Sequence, residues 1–543
     1  MALRYSFLHA TMNMALLILL QVLGIVSLST SQAVLRRQSQ GEPLTSIYPT
    51  QNFTMPVDHF QNESRYTPHT NNTFQQNYWL DTSNYVEGGP VIVHAMGEDS
   101  VGDLDWLQSG LVHQIANATG GVAVLWGQRY YSGGTIIPFG QYNTSNLRFH
   151  STEQALADLA YFAQRAVFSG LEHKNLTAPG TPWIIIGGSY AGVISAFTRI
   201  QYPDLFWGGI SSSGITTAID DAWAYYDVVR RYGPKDCIST QQQLVGLMDN
   251  VYSSGNKTAL RQLISAYNVS ESTPYPDLQS YLTTPLQAWD LGWAYHTTPI
   301  NGSGSYCSYI TNQADVANAS STLKATARSL LSYANKTATP NANELYYPLL
   351  NFMGFVLNTY IYCHGQTVAE CLSLYSPSPF NWLVCTEYGQ WGTGYTPGSP
   401  GHPAALPLVS RTLIPEYFIN QCKQTYNITS GPQLQRFNKY GGVNLSYPRL
   451  AISTGQFDFY RPLGPLAEFL PNTTAAPNPR IASNGTTAAP QIVIQGAYHE
   501  WDFYGFLPNQ TTTFKAPVAV QSAKSREIEA VKTWLQEWNQ THP

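Results

Sequence analysis

The sharpest chemical signal in the chain is the hexapeptide Gly187-Gly188-Ser189-Tyr190-Ala191-Gly192. An apolar run, Trp183 to Ile186, precedes it, and a helical pattern follows to about Gln201 and stops near Pro203. A chain that turns this sharply between strand and helix needs small residues around the serine, and the turn lifts the hydroxyl above the sheet edge. The helix N-terminus behind it offers backbone N–H groups and a positive dipole end. The pattern assigns Ser189 as a nucleophile for acyl transfer, with the N–H of Tyr190 as half of an oxyanion hole.

A serine needs a base, and the base needs an orienting carboxylate. A strand–turn–helix serine of this kind expects them in the order acid then histidine, each on a loop after a strand. Asp458 follows the strand-like Leu450–Ser453, and His499 follows the strand-like Gln491–Ile494. His296, His364 and His402 fall in a differently patterned region, and His150 precedes the nucleophile. The second oxyanion donor is expected in the loop after Val91–Val93, where Gly97 lets the backbone approach a reacting carbonyl and Glu98 and Asp99 place carboxylates near the cleft.

The elements that must position these residues alternate. Pro90–Val93, Gly121–Leu125, Trp183–Ile186 and Trp207–Ser213 read as strands. Ser151 to Ala166 reads as a helix capped by Ser151. Such alternation predicts a parallel sheet covered on both faces. Between about Thr216 and Ser446 strand runs become rare and helical patterns dominate, as in Gln241–Tyr252, Ala259–Tyr267 and Leu345–Tyr362. The α/β pattern then returns and closes with a helix over Ser522–Trp538; Asn472 to Pro490 reads as a loop. The expected layout is a signal peptide over 1–33, a propeptide or disordered lead over 34–50, core over 51–215, a helical insertion over 216–446 and core again over 447–543.

All six cysteines, Cys237, Cys307, Cys363, Cys371, Cys385 and Cys422, lie inside that insertion, and no CxxC pair occurs. Disulfides are therefore expected over zinc, with connectivity open. The N-terminus carries Arg4, an apolar run from Ala15 to Leu28 and small residues after it, the pattern of a secretory signal. Seventeen N-x-[ST] sequons agree with an N-glycosylated, secreted protein. The composition, 11% charged with net charge −5, gives no basis for nucleic-acid binding or a polybasic membrane contact.

With these segments in view, the sequence resembles peptidase family S28, the lysosomal Pro-Xaa carboxypeptidase, dipeptidyl peptidase II and fungal prolyl endopeptidase-like serine peptidases. Gly187–Gly192 with Thr198–Pro203 is similar to the family's elbow and following helix. Gln128-Arg129-Tyr130-Tyr131 is similar to its H-R-Y-Y element, and Glu153–Leu159 to its E-Q-A-L-x-D-L helix. Trp382 with Cys385-Thr386-Glu387 is similar to W-x-x-x-C-T-E, and Gly496–His499 to G-A-x-H. The resemblance implies an α/β-hydrolase core with a mostly helical cap hooding the site, and Ser189, Asp458 and His499 as catalytic residues. It implies cleavage beside proline without cofactor or metal, and activity in acid. Candidate substrate-binding residues are then Glu98, Arg129, Trp382 and Glu387, with Arg129 a receiver for a C-terminal carboxylate. The expected partners are proline-containing peptides; a homodimer is left open, as is a vacuolar or lysosomal lumen instead of the extracellular space. The chain departs from the family where Gln128 replaces histidine, Phe459-Tyr460 replaces Pro-Trp, and Tyr498 replaces a histidine before His499. Dipeptidyl or endo-acting prolyl cleavage, a secreted esterase on the same core and a non-enzymatic binding glycoprotein are the competing readings.

Overall fold

The computed structural model describes residues 43–98, 104–131, 138–140, 143–287, 306–336, 342–357, 377–399, 401–469, 478, 480–481, 484–506 and 515–542. The expected signal peptide, Asp99, Cys363 and Cys371 lie outside them. Nine strands form one sheet in the order β1-β2-β4-β3-β5-β6-β7-β9-β8. They are β1 (Gln51–Pro56), β2 (Thr73–Asp81), β3 (Val91–Ala95), β4 (Val122–Trp126), β5 (Trp183–Gly188), β6 (Gly208–Ser212), β7 (Leu450–Gly455), β8 (Gly485–Thr486) and β9 (Ala489–Ile494). Strands β3 to β7 and β9 run parallel, whereas β1, β2 and β8 pair antiparallel at the two sides. The central strands β3 to β7 are buried along their whole length, as β-branched and glycine-rich runs covered on both faces require.

The two faces carry separate cores. Val91, Val93, Val122, Val124 and Ile185 face α2 (Thr152–Ala163) and α3 (Ser189–Gln201). Ile92, Leu125, Ile184, Ile186 and Ile210 face α1 (Leu111–Thr119) and the last helix, α4 (Val518–Thr541). Ser151 caps α2 as the sequence predicts, its hydroxyl accepting from the Gln154 N–H at 3.2 Å.

Between β6 and β7 the chain is helical, with Lys235–Ser253, Lys257–Ser265, Ser321–Lys336, Tyr346–Phe355 and Pro415–Tyr426 as its longer helices. Leu244, Leu263, Leu330 and Phe352 from these helices join the same core cluster as α1 and α4. The molecule is an α/β-hydrolase core with a helical insertion. Among the described residues two disulfides staple the insertion, Cys237–Cys307 and Cys385–Cys422. Two details differ from the sequence reading. The antiparallel pair β1–β2 was not expected, and the loop expected to Pro490 ends in β8 and the start of β9.

Candidate active site

Strand β5 ends on Gly188, and Ser189 begins α3 with φ 52°, in the left-handed region that non-glycine residues rarely occupy. The tight turn leaves no room for side chains beside it. A Cβ on Gly187 would strike the Ala191 carbonyl, and one on Gly192 would lie 2.6 Å from the Ser212 carbonyl oxygen. Ser189 itself is half-buried. The parallel register brings the strand ends together: Gly188 pairs with Ser212, Ser212 with Ser453, and Gly455 with Ile494. The turns after β5, β7 and β9 therefore leave the same edge of the sheet, and they carry Ser189, Asp458 and His499.

His499 Nδ1 lies 3.0 Å from Asp458 Oδ1. Asp458 is fully buried and also accepts from Thr454 Oγ1 at 3.1 Å and from the Tyr460 N–H at 2.9 Å. Burial alone would push its carboxyl up; the charge and hydrogen bond of His499, with a further donor in Ser213, outweigh this and hold it below the ordinary aspartate value. An ionised carboxylate in this place can orient and stabilise an imidazolium. The Tyr460 ring packs on the imidazole at 4.9 Å between centroids, with Tyr225 and Phe459 behind it.

The turn carrying His499 locks onto the turn carrying Ser189. The Glu500 N–H donates to Ser213 Oγ at 3.1 Å, and a Cβ on Gly188 would collide with the Glu500 carboxylate. Ser213, just past β6, has φ 50° and links Asp458 to the residue after His499. Sequence reasoning missed it, because a Ser-Ser-Ser-Gly run carries no sign of which hydroxyl faces the site. Gly97 lies beside the first turn of α3: a Cβ there would stand 3.9 Å from the Ala191 backbone nitrogen. Tyr190 buries its ring against Tyr131 of the core and against Phe380 and Tyr388 of the insertion, at 6.1–6.2 Å. Burial raises its phenol far above the ordinary value, and Glu98 is near enough to add to the rise.

Three residues predicted to bind substrate are placed differently. Arg129 is fully buried, and all five of its N–H donors are used within the protein. Two go to Asp158 at 2.6 and 2.7 Å, and three to the carbonyls of Val57, Phe149 and Pro56. It has no donor left for a peptide carboxylate. Glu387 is buried; it pairs with Arg65 and accepts from the N–H and hydroxyl of Thr152 at 3.0 and 2.6 Å, where a carboxylate suits the first turn of α2. Trp382 donates its indole N–H to the His150 carbonyl at 3.0 Å. The motifs around Arg129, Asp158, Trp382 and Glu387 therefore interlock as a buried lattice beneath the site. Gln128, in place of histidine, is buried with neither amide atom hydrogen-bonded.

The comparisons with known proteins agree with this architecture. The family model for serine carboxypeptidase S28 matches residues 55–517. The chain belongs to this family. It is 36% identical over 518 residues to a probable extracellular serine carboxypeptidase of Arthroderma benhamiae, covering 92% of this chain and 69% of that one. It is 25% identical to the serine protease vicPb of Bipolaris victoriae over 80% of this chain and 81% of that one. A shorter match, 30% identical over 34% of this chain and 38% of the other, is to the lysosomal Pro-X carboxypeptidase of Mus musculus. This S28 chain is a serine peptidase.

Proposed function

We propose that the protein is a secreted, Pro-Xaa carboxypeptidase-like enzyme that works through an acyl-enzyme on Ser189, with His499 as general base and Asp458 as its orienting acid. The observation that carries this reading is the buried 3.0 Å contact between Asp458 and His499 on the sheet edge where the strained Ser189 turn also emerges. His499 takes the Ser189 proton as the hydroxyl attacks the peptide carbonyl and returns it to the leaving amine. The N–H of Tyr190 and the backbone at Gly97 receive the oxyanion. The aromatic groups beside His499 and around Tyr190 offer faces on which a proline ring would stack. Secretion is supported by the signal-like N-terminus, the sequons and the disulfides. Residues 216–446 would act as the hood that limits access to one end of a chain.

A second reading, dipeptidyl release, is favoured by one observation: Arg129 is committed, while Glu98 stands close to Tyr190 at the elbow and could hold a peptide ammonium. Two capped peptides around one Xaa-Pro-Xaa core separate the two. Carboxypeptidase action predicts that C-terminal amidation suppresses cleavage and N-terminal acetylation does not. The reverse pattern establishes dipeptidyl action, and indifference to both caps establishes an endopeptidase.

A further inference from the structure

Behind the candidate site, on the α4 face of the sheet, lies a buried pair of carboxyl groups that the reaction does not use. Glu527 on α4 is fully buried, and neither of its oxygens receives a hydrogen bond. Asp502, three positions past His499, is also fully buried. It accepts from Ser212 Oγ at 2.6 Å and from Ser453 Oγ at 2.5 Å. Asp502 and Ser453 are near enough to act on the Glu527 carboxyl. A hydroxyl has one proton, and that of Ser453 is already given to Asp502, so an ionised Glu527 would face a second carboxylate with no donor between them. A neutral Glu527 supplies the missing proton itself. Lys524 on the same helix donates to the Tyr504 carbonyl; its charge reaches both carboxyls and favours their ionised forms, but burial brings its own pKa down to about 8 and outweighs their pull. His113 on α1 is the other titratable side chain of the strands and helix that pack most closely on α4.

We propose that Glu527 is a positioning residue for the candidate base: it holds one proton, donates it to Asp502, and so fixes the turn carrying His499 onto the ends of β6 and β7. The connection is short. Asp502 grips Ser212 and Ser453, the register partners at the ends of those strands. The next residue after Ser212 is Ser213, whose hydroxyl holds the Glu500 N–H and serves Asp458. The turn is also tied at Phe503, whose N–H donates to the Glu500 carbonyl at 2.9 Å and whose carbonyl accepts from the Leu111 N–H at 3.1 Å. Ionising Glu527 would set two carboxylates against each other under this turn and push Asp502 out of its grip.

Burial, then the Asp502 charge, raise the Glu527 carboxyl well above the ordinary glutamate value. The unfolded chain releases this proton near pH 4.5 while the folded protein keeps it. Its contribution to stability is therefore complete below that pH and declines as pH rises towards the folded value. This rests on the serine-peptidase reading of Ser189 and His499 but not on proline specificity. The test accordingly uses fluorophosphonate labelling of Ser189 together with Tm across pH 4.5 to 8.

Glu527→Gln keeps a donor for Asp502 and cannot ionise. It should flatten the fall of Tm with pH and hold the labelling rate several-fold above that of the parent at the alkaline end, with little change in acid. Glu527→Ala should slow labelling at every pH. The parent protein should show a carboxylic-acid C=O infrared band at pH 7. Absence of that band, or a Glu527→Gln protein whose Tm slope and labelling profile match the parent, overturns the proposal. Labelling without cleavage of any proline peptide would remove the specificity reading and leave this one standing.

Discussion

Ser189 concentrates the strain of the site in one backbone angle. A serine at φ 52° persists because glycines on both sides let β5, α3 and β6 close around it. Ser189→Ala removes the hydroxyl of the proposed nucleophile. We expect kcat to fall roughly 10⁴–10⁶-fold with Tm little changed, read by peptide hydrolysis and calorimetry. Retained turnover would displace Ser189 from the mechanism. Ser213→Ala removes a donor to Asp458 and the acceptor of the Glu500 N–H. A loss of about 1–3 kcal/mol, or about 5- to 150-fold, is expected in kcat with KM nearly constant, since this hydroxyl is engaged by Asp458 and the Glu500 N–H. A rise in KM alone would contradict that role. The three triad candidates were legible in sequence because each sits in a turn whose small or polar residues declare a strand end. Arg129 and Glu387 were legible as motif residues and misjudged in role: a charged side chain reads alike whether it faces a ligand or an internal partner. Arg129→Lys cannot reproduce the forked contact with Asp158. It should destabilise the fold by about 3–5 kcal/mol, as breaking a buried pair does, while the folded fraction keeps its KM. A Tm unchanged from the parent, with a raised KM, would restore Arg129 to substrate binding.

At the scale of elements, the central strands announced themselves by apolar runs, and β1 and β2 did not. β2 buries Gln76 and Asn77 among its apolar residues, so it shows no clean alternation; its fit depends on neighbours that only the assembled sheet provides. β3 also holds a buried titratable group, His94, stacked on Trp106 at 4.4 Å. Burial lowers its pKa to about 3. The folded protein keeps this imidazole neutral while the unfolded chain protonates it below about 6.5, so stability falls as pH drops from there towards 3. The cost at pH 4 is about 3 kcal/mol. His94→Phe retains the stacking and loses the titration; its Tm should decline less than the parent's between pH 6.5 and 4. Equal declines would show that His94 is charged in the fold.

For the whole molecule, the insertion and the core share one wall at Tyr190. The disulfide Cys385–Cys422 ties the segment Val384–Tyr388, which forms part of that wall, to the helix Pro415–Tyr426. Replacing both cysteines by alanine should cost about 2–4 kcal/mol of stability and raise KM more than it lowers kcat, because Tyr388 loses its support and the Asp458–His499 pair does not. An unaltered KM would mean that the wall stands without the staple. The insertion was visible in sequence as a change of periodicity, yet its contact with the elbow was not, since no local pattern encodes which faces meet across so long a separation.

The order of the sheet has a consequence for how the enzyme is made. β7 fills the place between β6 and β9, and both Asp458 and His499 come after the whole insertion in the chain. A ribosome that has released Ser189 has therefore made only a turn without a partner. The proposed acid and base are synthesised much later, and α4, which covers the far face behind them, later still. On the proposed assignment, a nascent chain in a secretory compartment cannot cleave its neighbours until it is nearly finished.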